Sequence, residues 1–154
     1  GEFGDQGVRH EDMMDMSFAS NSLDGIYHGD VLEHIPSMSA GLKECYRVLR
    51  PGAELIFTVP FYAERDETLI RAEIIDGARI DHQPPAYHGN PLSNEGVLVF
   101  SEPGLEFLDQ LAGIGNWSAQ AGLAHSPLHG YFSDNHHRRV SRCFNVVFRC
   151  RKND

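Results

Sequence analysis

Histidine offers this chain most of its chemistry. Nine occur, and imidazole titrates near neutral pH, so each is a candidate proton carrier or metal ligand. His34, in Val31-Leu32-Glu33-His34-Ile35, has the setting of a general base. The competing reading is a structural ring that hydrogen-bonds the backbone under the helix that follows. His28 precedes Gly29, and a glycine lets a ligand approach the main chain. Tyr87-His88 precedes Gly89-Asn90-Pro91 in a long irregular stretch. His82 and His88 flank Pro84-Pro85, while His125, His129, His136 and His137 share one loop region. Spacing alone does not bring three of these rings together, and no HxxxH lies on a clear helix, so no metal site is expected. The three cysteines, Cys45, Cys143 and Cys150, fit neither a disulfide framework nor a CxxC site. Reduced, partly buried thiols in a cytoplasmic protein are expected.

These residues need a frame. Leu23 to Gly29 reads as a short buried strand, and Asp30 to Ile35 as one helical turn stopped by Pro36. Met38, Leu42, Cys45, Tyr46 and Leu49 lie on one stripe of a helix from Ser37 to Arg50, capped by Ser37 or Ser39 and ended by Pro51-Gly52. Ala53 to Pro60 is a nearly continuous apolar strand, of the kind usually covered on both faces. Together they form a βαβ unit. Phe61 to Phe100 is weakly periodic, with a short helix expected over Thr68 to Ile75. Ser101 caps a second helix with Leu105, Leu108, Leu111 and Ala112 as its stripe. Asn116 to Leu123 and Val140 to Cys150 are strands. In an open parallel sheet, ligands sit beyond the C-terminal strand ends. Asp12 and His28-Gly29 both fall there.

The chain has 154 residues, 41% of them hydrophobic and 23% charged, which suits one globular domain. Glu2-Phe3 is a dipeptide that a common cloning site encodes. Residues 1–3 are therefore set aside as a cloning remnant, 4–150 taken as the domain and 151–154 as a tail. The net charge of −9 argues against nucleic acid or an anionic membrane as the main partner. No apolar run approaches the roughly 20 residues a membrane helix needs.

An ordered series runs from Asp12 to Pro60: Asp12, Met16-Ser17-Phe18, Ser22-Leu23-Asp24, Val31-Leu32-Glu33-His34-Ile35 and Arg47-Val48-Leu49-Arg50-Pro51-Gly52-Ala53. It resembles the middle section of the class I S-adenosylmethionine-dependent methyltransferases. The resemblance implies an α/β fold with a doubly wound, Rossmann-like sheet, mostly parallel with an antiparallel last strand. It implies S-adenosylmethionine as cofactor and a small-molecule methyl acceptor. Asp12 would accept the adenine amino group, with Met13 and Phe18 as apolar walls, and His28-Gly29 would border the methionine part. His34 would be the catalytic residue, and Tyr87 and His88 would meet the acceptor. Asp24 would be structural, at a strand entrance.

The resemblance also has gaps. The family's Gly-rich turn after its first strand and the ribose-holding acid after its second are not among these residues. Gly113-Ile114-Gly115 follows a helix and does not qualify. The chain therefore looks like the C-terminal two-thirds of such a domain. Cofactor binding by this chain alone is expected to be weak, and catalysis impaired. An open, apolar sheet edge is expected to pair with a second copy, giving a homo-oligomer. The alternative function is a non-catalytic remnant acting as an oligomeric binding or scaffold protein.

Overall fold

The computed structural model describes residues 9–89, 96–123 and 144–154. Its frame is the βαβ unit. Strand β1, Leu23–Gly29, is short and half-buried. Helix α1, Met38–Val48, starts where Ser37 accepts the Ala40 N–H through its hydroxyl at 3.2 Å. It buries Met38, Leu42, Cys45 and Val48. Strand β2, Leu49–Phe61, follows at once and runs parallel to β1, with His28 opposite Phe57 and Gly29 opposite Thr58.

The four-stranded sheet is completed from far along the chain. Strands β9, Trp117–Leu123, and β10, Phe144–Lys152, give the order β1-β2-β10-β9. β10 is antiparallel to both neighbours. Three strands thus point one way and β10 alone opposes them, as the resemblance implied.

Alternation in β2 shows which face is the core. Ala53, Leu55, Phe57, Val59 and Phe61 are buried, while Glu54, Ile56, Thr58 and Pro60 are only half-buried. In β10, Val146, Phe148 and Cys150 are buried. Both α1 and α2, Glu106–Gly113, pack on this face. Phe57, Phe107 and Phe148 form its centre. Phe57 and Phe148 stack at 5.0 Å, and Phe107 meets Phe148 edge-on at 5.5 Å. The expectation that β2 is covered on both faces is not met among the described residues. Glu54 holds Arg149 on the other face, with Arg149 Nη2 2.6 Å from Glu54 Oε1.

Other expectations also change. Thr68 to Ile75 is not helical. It carries β3, Leu69–Ile70, and β4, Ala72–Ile75, and β4 pairs antiparallel with β5, Ala78–Asp81. The reason is local. Asp76 and Gly77 both have positive φ, 51° and 78°, the conformation of a tight hairpin turn that Asp-Gly favours. Ser101 caps nothing. It lies in β8, Ser101–Glu102, paired with β3, and α2 begins later. The buried residues of α2 are Phe107 and Leu111, whereas Leu105 and Leu108 are exposed. Finally, β10 runs two residues past the expected strand end. Lys152 is buried and its Nζ donates to Asn21 Oδ1, Tyr46 O and Leu49 O at 2.8 to 2.9 Å.

Candidate active site

The C-terminal end of β1 leads into a single 3-10 turn, Leu32–His34, written η1. Leu32 is fully buried and anchors the turn in the core. Two short strands close over it. These are β6, Tyr87–His88, and β7, Val97–Leu98, paired antiparallel with Tyr87 opposite Leu98. The main chain links them to the turn, since the Phe100 N–H donates to the Glu33 carbonyl at 2.8 Å.

This arrangement brings three titratable side chains together. His34 Nε2 lies 3.6 Å from Glu33 Oε1, and His88 Nδ1 lies 3.7 Å from the same oxygen. The two imidazoles meet edge-on, 4.9 Å between ring centres. His34 Nδ1 is 2.8 Å from the Leu98 carbonyl. A carbonyl only accepts, so Nδ1 carries the proton and neutral His34 keeps its lone pair on Nε2. The structure therefore makes the backbone bond of the structural reading and still leaves a nitrogen available.

Glu33 is the member that sequence reasoning missed. It is 1% exposed, and neither carboxyl oxygen has a hydrogen-bond partner among the described residues. Burial pushes its carboxyl up to about 7; its own backbone N–H opposes this and the Asp30 charge adds to it. An acid beside a histidine reads in sequence as solvated, and the packing of α1, β2 and β8 around η1 buries it. His88 is half-exposed. Burial and the neighbouring His34 hold its imidazole below the ordinary value, against Asp30 and Glu102.

His28, near the end of β1, stacks on Phe57 at 5.2 Å, with both ring nitrogens buried and without a hydrogen-bond partner among the described residues. Burial lowers its pKa to about 4, so the ring is neutral at pH 7. Gly29 is exposed beside it. A Cβ there would meet Thr58 Oγ1 at 3.3 Å.

The Asp12 loop meets α1 at Gly41, beside residues of η1. Asp12 is exposed and its Oδ1 accepts the Met14 N–H at 2.8 Å, which closes a turn of its own. Met13, Ile35 and Leu32 all crowd Gly41 of α1; a Cβ there would stand 3.4, 2.6 and 3.6 Å from them. Met13 thus packs against η1 and the core. Phe18 carries the Arg9 guanidinium over its ring, 4.9 Å from the centre. The loop is strapped to α1 by Arg47, which donates to the Met16 and Phe18 carbonyls at 2.9 Å while held by Glu44. Tyr87 is exposed, on the rim of the His88 strand. So His34 and His88 converge with Glu33, Met13 lies by Leu32 and Ile35 at Gly41, and Asp12 stays within its own exposed loop. The loop histidines between 124 and 143, and Cys143, lie outside the described residues.

Comparison with known proteins finds likeness over part of the sequence and over the fold. A family model for a methyltransferase domain matches residues 2–57. Over 69 residues the chain is 38% identical to 24-methylenesterol C-methyltransferase 2 of Arabidopsis thaliana, which is 42% of this chain and 18% of that protein. An S-adenosylmethionine-dependent methyltransferase from Mesorhizobium loti superposes with a TM-score of 0.57 at 14% identity, covering 97% of this chain and 72% of that one. The [4+2]-cyclase SpnF superposes with a TM-score of 0.56 at 13% identity, covering 92% and 55%. The match to the methyltransferase-domain model is confined to residues 2–57, and the chain as a whole has the Rossmann-like α/β fold of these solved methyltransferases. It spans about a fifth of the curated relative and half to three quarters of these solved structures. The described residues contain no helix long and apolar enough to cross a membrane.

Proposed function

We propose that this domain serves methyl transfer from S-adenosylmethionine to a small-molecule acceptor, in the cytoplasm, with His34 as the proton acceptor. The observation that carries the role of His34 is its bond to the Leu98 carbonyl, which leaves Nε2 unprotonated at the strand end where this fold binds ligands. The residues at that end suit the cofactor. His28 has two buried ring nitrogens without partners among the described residues, and the Gly29 backbone is exposed. Bound S-adenosylmethionine supplies an electrophilic methyl group on a sulfonium. Asp12 offers a carboxylate to the adenine edge, Met13 and Phe18 flank it, and His28-Gly29 border the methionine part. Tyr87 and His88 face the acceptor. The chain's own task is then to hold the acceptor in line and to take one proton on His34.

Cofactor affinity is reduced in this chain alone, because the Gly-rich turn and the ribose-holding acid are not among its residues. Each lost polar contact costs about 1 kcal/mol or more. Calorimetric titration with S-adenosylhomocysteine tests this. Binding weaker than micromolar that is lost further in His28→Ala is expected. No heat at millimolar ligand sinks cofactor use by this chain.

A second reading has one observation in its favour. β1 is an open margin of the sheet among the described residues, and its Tyr27 is 72% exposed. We infer that a second copy pairs along β1, which would suit a non-catalytic scaffold as well as an enzyme. Light scattering should show a dimer that Tyr27→Lys dissociates. A monomer across a wide concentration range overturns it.

A further inference from the structure

We propose that Glu33, His34 and His88 form a binding site for a divalent first-row transition metal ion of the zinc class. Two imidazoles and one carboxylate are a donor set that holds such ions with a coordination position left open. One donor atom from each of the three lies within 4.8 Å of the others, with 3.6 and 3.7 Å from Glu33 Oε1 to the two ring nitrogens. Donors bound at about 2.0–2.1 Å around one tetrahedral ion stand roughly 3.3 Å apart, so only small movements are needed.

Two further observations point to a ligand. Glu33 is 1% exposed and both its oxygens lack hydrogen-bond partners among the described residues. A buried carboxylate is normally paired with a donor, a cation or a metal. His34 has the outer bond that metal-ligating histidines commonly make: its Nδ1–H is fixed on a backbone carbonyl, which aims Nε2 at the site. The half-exposed His88 provides the entry, and Asp30 adds negative charge nearby.

The site uses the same cluster as the methyl-transfer reading but does not need the cofactor. With an ion in place, His34 Nε2 is a ligand and no longer a free base. The ion would lower the pKa of an acceptor hydroxyl bound at the open position, whose proton would then leave to solvent instead of to His34.

Metal binding is measured without S-adenosylmethionine, so failure of one reading does not hide failure of the other. The probe is Zn(II), titrated into the full chain against a chromophoric chelator. One ion per chain is expected. Glu33→Gln and His88→Ala should each weaken it tenfold or more. His82→Ala should leave it unchanged, since exposed His82 bonds Glu73 away from the cluster. Circular dichroism of the metal-free variants checks that they fold, and His88→Ala removes only a half-exposed ring. Equal affinity in wild type, Glu33→Gln and His88→Ala overturns the site. So does the absence of binding tighter than about 1 mM.

Discussion

His34 donates its Nδ1–H to the carbonyl of Leu98 across 2.8 Å, and this bond ties the turn after β1 to the strand that covers it. Position and proton are fixed by one contact. Asparagine can copy the Nδ1–H but has nothing at Nε2. His34→Asn should therefore keep stability within about 0.5 kcal/mol, whereas His34→Ala should lose about 1–2 kcal/mol by leaving a carbonyl unpaired. Both should lower methyl transfer by about a hundredfold or more. Urea titration beside a turnover assay separates the two effects. Full activity in His34→Asn would exclude Nε2 from the chemistry.

His28 makes folding sensitive to acid. Its folded pKa is about 4 against an ordinary value of 6.5, because burial disfavours the charged ring. The unfolded chain takes up a proton in that window and the folded chain does not. Stability is therefore fully present above about pH 6.5 and falls as pH drops toward about 4. Allowing for the solvent that still reaches the ring, the loss is about 1–2 kcal/mol. Urea midpoints of wild type and His28→Gln from pH 4 to pH 7 should converge toward the acid end. Parallel curves would show that another group is responsible.

Lys152 fastens the last strand to the junction of α1 and β2. Its ammonium serves the Tyr46 and Leu49 carbonyls and Asn21, and lies 4.4 Å over the Tyr46 ring. Lys152→Met keeps much of the stem and removes every donor. It should cost about 2–4 kcal/mol, read as a lower denaturant midpoint. Arg151→Met, on an exposed neighbour, should change little.

Phe148 touches the rings of Phe57, Phe61 and Phe107, all within 5.0 to 5.9 Å of its own. Phe148→Ala should lose about 3–5 kcal/mol, and Phe148→Leu clearly less, because the cavity it leaves is smaller. Thermal melting distinguishes them. Similar losses would mean that the site collapses around either side chain.

The βαβ frame was legible because its signals are local. Ser37 at the cap, the spaced Met38, Leu42 and Cys45, and the Leu23–Gly29 strand depend on neighbours in sequence. The stretch from Phe61 to Phe100 was not, because its short strands are set by pairings such as Ile70 with Ser101 and by the Asp76-Gly77 turn. Of the site, His34 and His88 were named but not their meeting. That depends on β6 and β7 folding back over η1. Glu33 was invisible for the opposite reason: burial overrides what its charge suggests, and part of that burial comes from β8, more than sixty positions away.

β10 is the last of these strands to be synthesised, yet it lies between β2 and β9. Until its residues leave the ribosome, β9 has no partner among the described strands of this sheet and β2 has one bare side. The pairing that unites them, Phe148 with Phe57 and with Ala121, spans a long loop closure. Such contacts form slowly and late. The nascent domain therefore waits with its aromatic centre unsealed until β10 has been made, and its apolar face is exposed to association for that interval.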